Sequence, residues 1–271
     1  MSLPDEDFFG KPAGRKAPGA MMVDLQSVYL NFGKRVALDG ITLPMKAREV
    51  TGLIGPHGSG KTAVLRAVAH LDRIDAGRIY VDGALLGYAE DNGSLRELAP
   101  KRIAEQRRDV ALVSATFDLF PHLSAIDNVV EAPVRVRGRK RKAATEAARV
   151  LLDQLGVAAV ADTYPVYLSP DQRQRVAIAR ALAMQPTLLM LDDPTSVLGE
   201  ASRREVTDVI RTLAADGVTT IVTTHDLAFA RDVTQHLVVL DHGDVAESGD
   251  PRGVLGNPQD DRTKAYLSTS P

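Results

Sequence analysis

The sequence predicts an α/β domain built on a mostly parallel sheet. Three observations point there. Short apolar, β-branched runs alternate with helical patterns along most of the chain. A glycine-rich loop separates one such run from a helix. Another run ends in a pair of aspartates. The buried strands expected from these runs are EVTGLIG (49–55), DVALVS (109–114), TLLMLD (187–192), VTTIVTT (218–224) and HLVVLD (236–241).

The elements follow in order. Residues 1–20, MSLPDEDFFGKPAGRKAPGA, combine Pro, Gly and charge and read as a flexible tail. Residues 22–45 hold strand-like pieces broken by Gly33 and Gly40, which suits a small antiparallel lobe. Helical periodicity starts at KTAVLRAVAHL (61–71). A helical insertion is expected over about 115–168. Within it, 140–156 places Ala144, Ala148, Leu151 and Leu155 on one face and stops at Gly156. The basic run RVRGRKRK (135–142) reads as the solvated start of that helix. A further helix spans 201–217 and stops at Gly217. No repeat and no internal boundary divides residues 21–271, so they are read as one domain.

Composition excludes several classes. Hydrophobic residues make up 44% and charged residues 25%, ordinary for a globular chain. A net charge of −2 gives no electrostatic case for nucleic acid. The chain has no cysteine, which removes disulfides, thiolate metal sites and thiol nucleophiles. No apolar run approaches the roughly 18 residues of a membrane span, and the N-terminus lacks an apolar signal core. The expected location is the cytoplasm.

GPHGSGKT (55–62) matches G-x-x-x-x-G-K-[ST] in full and sits between a strand and a helix, the context that gives this P-loop motif its meaning. The loop comprises Gly55, Pro56, His57, Gly58, Ser59, Gly60, Lys61 and Thr62, followed by Ala63. Its amides and the helix N-terminus suit an anion. Lys61 is expected to reach β- and γ-phosphates, and Thr62 to hold Mg²⁺. Asp192, at the tip of an apolar strand, is the second expected magnesium partner. The fold expected is thus a P-loop NTPase sheet core with an N-terminal antiparallel β lobe and a helical subdomain.

The order of motifs resembles the ATP-binding subunits of ATP-binding cassette (ABC) transporters. FG at 32–33, GPHGSGKT at 55–62, TFDLFPHLSAIDNV at 116–129, LSPDQRQRVAIARAL at 168–182, LLMLDDPTS at 188–196 and VTTHD at 222–226 carry the resemblance. YPVYLS and the C-terminal 245–267 resemble the polar-amino-acid importer branch. The resemblance implies two subunits sandwiching two Mg-ATP, with Phe32 stacking on adenine and His225 sensing the γ-phosphate. Ser169 and Gln172 of the signature would face the partner's ATP. It further implies membrane permease subunits, an indirectly coupled solute-binding protein, and a peripheral seat on the inner face of the cell membrane.

The chain departs from the family pattern at five places, one of them a pair of residues. Asp193 stands where a glutamate polarises the attacking water, and a displacement of roughly 1 Å can cost on the order of 10²-fold in rate. Ala115 replaces a glutamine that reaches toward magnesium. Ser196-Val197-Leu198-Gly199 lacks the turn's cross-subunit carboxylate. Ala63 lacks a second hydroxyl. Pro170-Asp171 replaces two signature glycines. Ser169, Pro170 and Asp171 make a good helix start, but proline has no N–H to give. Unless Asp171 turns away, its carboxylate is expected to meet the partner's γ-phosphate and weaken the ATP sandwich, since unit charges at about 4 Å repel by about 1 kcal/mol in water and about 4 kcal/mol at an effective dielectric of about 20. The resulting expectation is an importer subunit that binds Mg-ATP and hydrolyses it weakly. The alternative is a non-hydrolysing regulatory or structural module, possibly half of a heterodimer.

Overall fold

The computed structural model describes residues 16–91 and 94–269. Most of the segment expected to be a flexible tail, residues 1–15, lies outside the described residues. Residues 16–20 are tied down: the Ala47 N–H donates to the Ala20 carbonyl at 2.7 Å, and Lys16 pairs with Asp82 at 3.2 Å.

The lobe begins with β1 (Met21–Phe32) and β2 (Arg35–Lys46), which pair antiparallel. With β4 (Ala76–Val81) and β5 (Ala84–Leu85) they form a four-stranded sheet in the order β2-β1-β4-β5. Gly33 makes the turn, as expected. Gly40 does not break a strand: β2 runs through it with φ 68°, at an irregular stretch of the ladder. A Cβ at Gly40 would lie 2.7 Å from the Tyr29 hydroxyl, so glycine admits the tyrosine.

The main sheet has the order β12-β11-β3-β10-β9-β8. β3 (Val50–Ile54), β8 (Val110–Val113), β9 (Leu188–Asp192), β10 (Thr219–Thr223) and β11 (His236–Asp241) are parallel, and β12 (Asp244–Gly249) closes one edge antiparallel. β3, β9 and β10 are buried along their whole length, which explains their unbroken apolar or threonine-rich character. The register sets Thr223 beside Asp192 and beside Leu53. The carboxyl ends of three strands therefore open at one place, the usual position for a site in such a sheet.

α1 (Lys61–Val68) follows β3 and packs with the lobe; Val64, Leu65 and Val68 join Leu25, Leu38 and Ile41 in one core. A hairpin of β6 (Tyr88–Asp91) and β7 (Ser94–Glu97) and α2 (Pro100–Gln106) lead to β8. α3 (Ala125–Arg135), α4 (Arg141–Gln154) and α5 (Pro170–Ala183) pack on one another around Val129, Ala148, Leu152 and Ile178. α6 (Glu200–Ala215), α7 (Leu227–Val233), α8 (Pro251–Gly256) and α9 (Asp261–Thr269) complete the chain.

The basic run 135–142 is not simply solvated. Arg137 donates to Asp109 at 2.6 Å and to the Arg108 and Met184 carbonyls at 3.2 and 3.0 Å, and Arg139 reaches the Gln185 side chain at 2.7 Å. These arginines fasten the α3–α4 connection to the start of β8 and the end of α5. A burial this specific depends on tertiary placement that a charge run does not encode.

Candidate functional site

The loop from Gly55 to Gly60 leaves β3 and turns into α1 through three positive-φ glycines, at 139°, 82° and 108° for Gly55, Gly58 and Gly60. Two have no room for a side chain. A Cβ at Gly55 would lie 2.0 Å from the Leu240 carbonyl, and one at Gly60 would lie 2.7 Å from the Ala37 carbonyl. The lobe and the β11–β12 end therefore clamp the loop from behind. Lys61 is buried, and its ammonium donates to the Gly55 and Pro56 carbonyls, both at 2.8 Å, and to the Ser59 hydroxyl at 3.4 Å. Burial drives its pKa down to about 8, against the attraction of Asp192 and Asp193.

The loop opens onto a cleft of about 440 Å³. Phe32, His57, Gly58, Gly60, Lys61, Thr62 and Ala63 line it from the lobe and loop side; Asp192, Asp193 and His225 line it from the strand ends. Gly55, Pro56 and Ser59 form the back of the loop rather than the cleft wall. Ser169 and Gln172 do not join the cleft. They stand at the start of α5, so any contact they make with a ligand of this kind belongs to another copy of the site.

Asp192 is held in place by hydroxyls. Thr62 donates to its carboxylate at 3.0 and 3.2 Å, and Thr223 donates at 2.6 Å. Thr223 also receives the Asp193 N–H, through its hydroxyl at 3.0 Å and its carbonyl at 3.1 Å. Sequence reasoning missed Thr223, although its place in VTTHD, just before His225, was a signal. Hydroxyl and carboxylate oxygens are the hard donors that suit Mg²⁺, so Thr62 and Asp192 fit that ion.

Asp193 has φ 49°, an unusual backbone for a residue other than glycine. Burial, then the Asp192 charge, raises its pKa. His225 lies against His57 with ring centroids 4.2 Å apart and planes tilted 31°. Burial, followed by repulsion from Lys61 and His57, holds the His225 pKa down to about 4. A neutral imidazole at pH 7 keeps one N–H to donate. Ala115 also lines the cleft. Its loop is closed on itself: Asp118 accepts from Ser114 and Thr116, and Arg180 donates to the carbonyls of Phe117 and Asp118 at 3.0 and 2.6 Å. Nothing in the structure explains the change at Gly199, which serves only as the residue before α6.

The start of α5 forms the expected cap. The Ser169 hydroxyl accepts from the Gln172 N–H at 3.1 Å, the Gln172 side chain accepts from the Ser169 N–H at 2.9 Å, and Pro170 takes the first turn. Asp171 is turned toward its own helix, the case in which the repulsion is not expected. Its carboxylate points back along α5 and accepts from Arg175 four residues on. Arg175 also donates to the Leu155 and Gly156 carbonyls and to Glu205, at 3.0, 3.2 and 3.0 Å. The charge on Asp171 is therefore compensated within its own chain.

Residues 38–196 match the ABC transporter family, more than half of the chain. The chain belongs to the ABC transporter family. Among its relatives, the arginine transport ATP-binding protein ArgV of Corynebacterium glutamicum is 47% identical over 92% of this chain and 98% of its own length. The glutamine transport ATP-binding protein GlnQ of Escherichia coli is 39% identical over 91% and 98%. A solved dimeric ABC cassette, MJ0796 bound to ADP and Pi in a post-hydrolysis state, superposes with a TM-score of 0.75 at 30% identity, over 86% of this chain and all of that one. The P-loop sheet core, β lobe and helices described above are those of an ABC cassette.

Proposed function

We propose that this chain is the ATP-binding subunit of an amino-acid importer, that it binds Mg-ATP, and that its hydrolysis is slow. The observation that carries the binding half is the convergence of Lys61, Thr62 and Asp192 at the mouth of the phosphate loop. The transport half rests on the relatives, which are ATP-binding proteins of amino-acid transport systems.

In this reading the loop amides and Lys61 hold the phosphate chain, and Phe32 offers its face to the base. Thr62 and Asp192 hold magnesium, which when bound offsets phosphate charge. Asp193 orients the attacking water, and His225 donates its N–H to the γ-phosphate. Ser169 and Gln172 meet the nucleotide of a second ATP-binding subunit, identical or not. Closure of the pair is passed to permease subunits through Phe117–His122, where Arg180 ties the loop to α5. No helix among the described residues is long and apolar enough to cross a membrane, so the chain is proposed to sit on the inner face through the permease.

Slow turnover is supported by two residues in one cleft. Asp193 is one methylene shorter than glutamate, and Ala115 offers neither an acceptor nor a donor. The folding back of Asp171 removes the charge repulsion from this account, leaving Pro170 as the change in the signature that withdraws a donor. Titration calorimetry with Mg-ATP tests the reading. The unaltered chain should bind and Lys61→Ala should not; binding that survives Lys61→Ala would sink it.

A further inference from the structure

The hairpin that ends β1 and begins β2 brings two side chains to the cleft. Phe32 and Arg35 are cross-strand partners on either side of the Gly33–Lys34 turn, and both line the cleft. Gly33 supplies the positive φ, 63°, that this tight turn uses. The ring and the guanidinium are thus positioned as a unit.

The Arg35 guanidinium lies on the phosphate loop. A Cβ at Gly58 would sit 2.6 Å from Arg35 Nη2, so the bare glycine is what lets the arginine approach. The Arg35 side chain has no hydrogen-bond or ion-pair partner among the described residues. Arg66, on the same cleft, differs: it is spent in a two-pronged contact with Asp72 at 2.7 and 2.8 Å. Arg35 is therefore an uncommitted cation beside loop amides and the Lys61 ammonium. An anion in the cleft that Arg35 and Lys61 both line would give Arg35 the partner it lacks and would also face Lys61 and the loop. A guanidinium fork suits phosphate oxygens in particular.

We infer that Arg35 is a nucleotide-binding residue that grips phosphate oxygens from the lobe side while Phe32 takes the base. The inference rests on the proposed ATP binding and deepens it. The nucleotide is held between the lobe and the loop, and the cationic contact of the lobe supplements a loop in which Ala63 has no hydroxyl.

The test compares Arg35→Ala, Arg35→Lys and Phe32→Ala with the unaltered chain, by calorimetry with Mg-ATP and with magnesium tripolyphosphate, which has no base. Arg35 is exposed, so thermal unfolding should be unchanged. Arg35→Ala is expected to weaken both ligands by roughly tenfold or more, the range for a hydrogen bond to a charged group. Arg35→Lys should recover part of the loss. Phe32→Ala should weaken ATP and leave tripolyphosphate unchanged. If the unaltered chain binds ATP and Arg35→Ala binds both ligands equally well, the inference is wrong. Loss for ATP alone would overturn the phosphate assignment. An unaltered chain that binds no ATP would remove the functional reading and this inference together.

Discussion

Replacing Asp171 with alanine should destabilise the protein without improving its pairing with a second nucleotide-bound subunit. The Asp171 side chain is 23% exposed and that of Arg175 is 10% exposed, so their contact is neither a surface pair nor a dry one. Breaking a buried pair costs about 3–5 kcal/mol, whereas an exposed pair at this helical spacing contributes about 0.3–0.5 kcal/mol. Arg175 keeps Glu205 and two carbonyls after the change, which favours the lower half of that span. Loss of an acid from the first turn adds about 0.5 kcal/mol through the helix dipole. In the other direction, the Asp171 Oδ1 is buried without a partner, and deleting it relieves about 1 kcal/mol. The net expectation is a loss of about 1–2 kcal/mol, or roughly 3–5 °C in melting temperature for a domain of this size. Thermal unfolding without nucleotide reads the first effect. Sizing chromatography with Mg-ATP reads the second, which should stay within about twofold of the unaltered chain, since a compensated charge has little repulsion to relieve. A variant of unchanged or higher stability that also dimerises more tightly would refute the reasoning, because it would place the carboxylate against the partner's phosphate.

Other expectations follow from the same geometry. Arg137→Ala should lower stability by about 1 kcal/mol, since water can replace the guanidinium at the exposed Asp109 and Arg108 carbonyl but less readily at the part-buried contact with the Met184 carbonyl, and Arg137→Lys should not restore it; urea denaturation measures both. His225 has a folded pKa of about 4 against the ordinary 6.5. The unfolded chain therefore binds the extra proton first, and the stability this group contributes is full above about pH 6.5 and is lost as pH falls toward 4. His225→Gln should reduce the fall over that window by on the order of 1 kcal/mol, after allowance for the solvent-exposed part of the ring. Unfolding curves at pH 4 to 8 that are parallel for the two proteins would contradict it.

The parallel sheet was legible because each of its strands is an apolar or β-branched run, buried along its whole length in β3, β9 and β10 and half-buried at the edge strand β8. The polar strands β6 and β7 and the antiparallel edge β12 were not, because they carry no such run: β7 is exposed throughout. The phosphate loop was legible because its glycines, lysine and threonine are contiguous. Arg35 was not, since its role emerges only when the hairpin pairs it with Phe32 and folds it over Gly58. Asp171 is a different case. Arg175 stands four residues after it, the spacing at which helix residues meet, so the sequence held the signal that the carboxylate had a partner on its own helix. Arg137 carried no comparable signal, because Asp109 and Met184 reach it only through the packing of α3 and α5 against β8.

We propose that in this one cleft nucleotide is held by an intact loop and turnover is limited by Asp193 and Ala115. The direct measurement is steady-state ATP hydrolysis by the unaltered chain and by the Ala115→Gln, Asp193→Glu double variant, with the Mg-ATP dissociation constant recorded for each. Restoring the longer carboxylate and the reaching amide should raise the rate by about tenfold or more, in keeping with the sensitivity of catalysis to placements of about 1 Å, while the dissociation constant stays within about twofold. Equal rates for the two proteins at equal affinity would contradict the account.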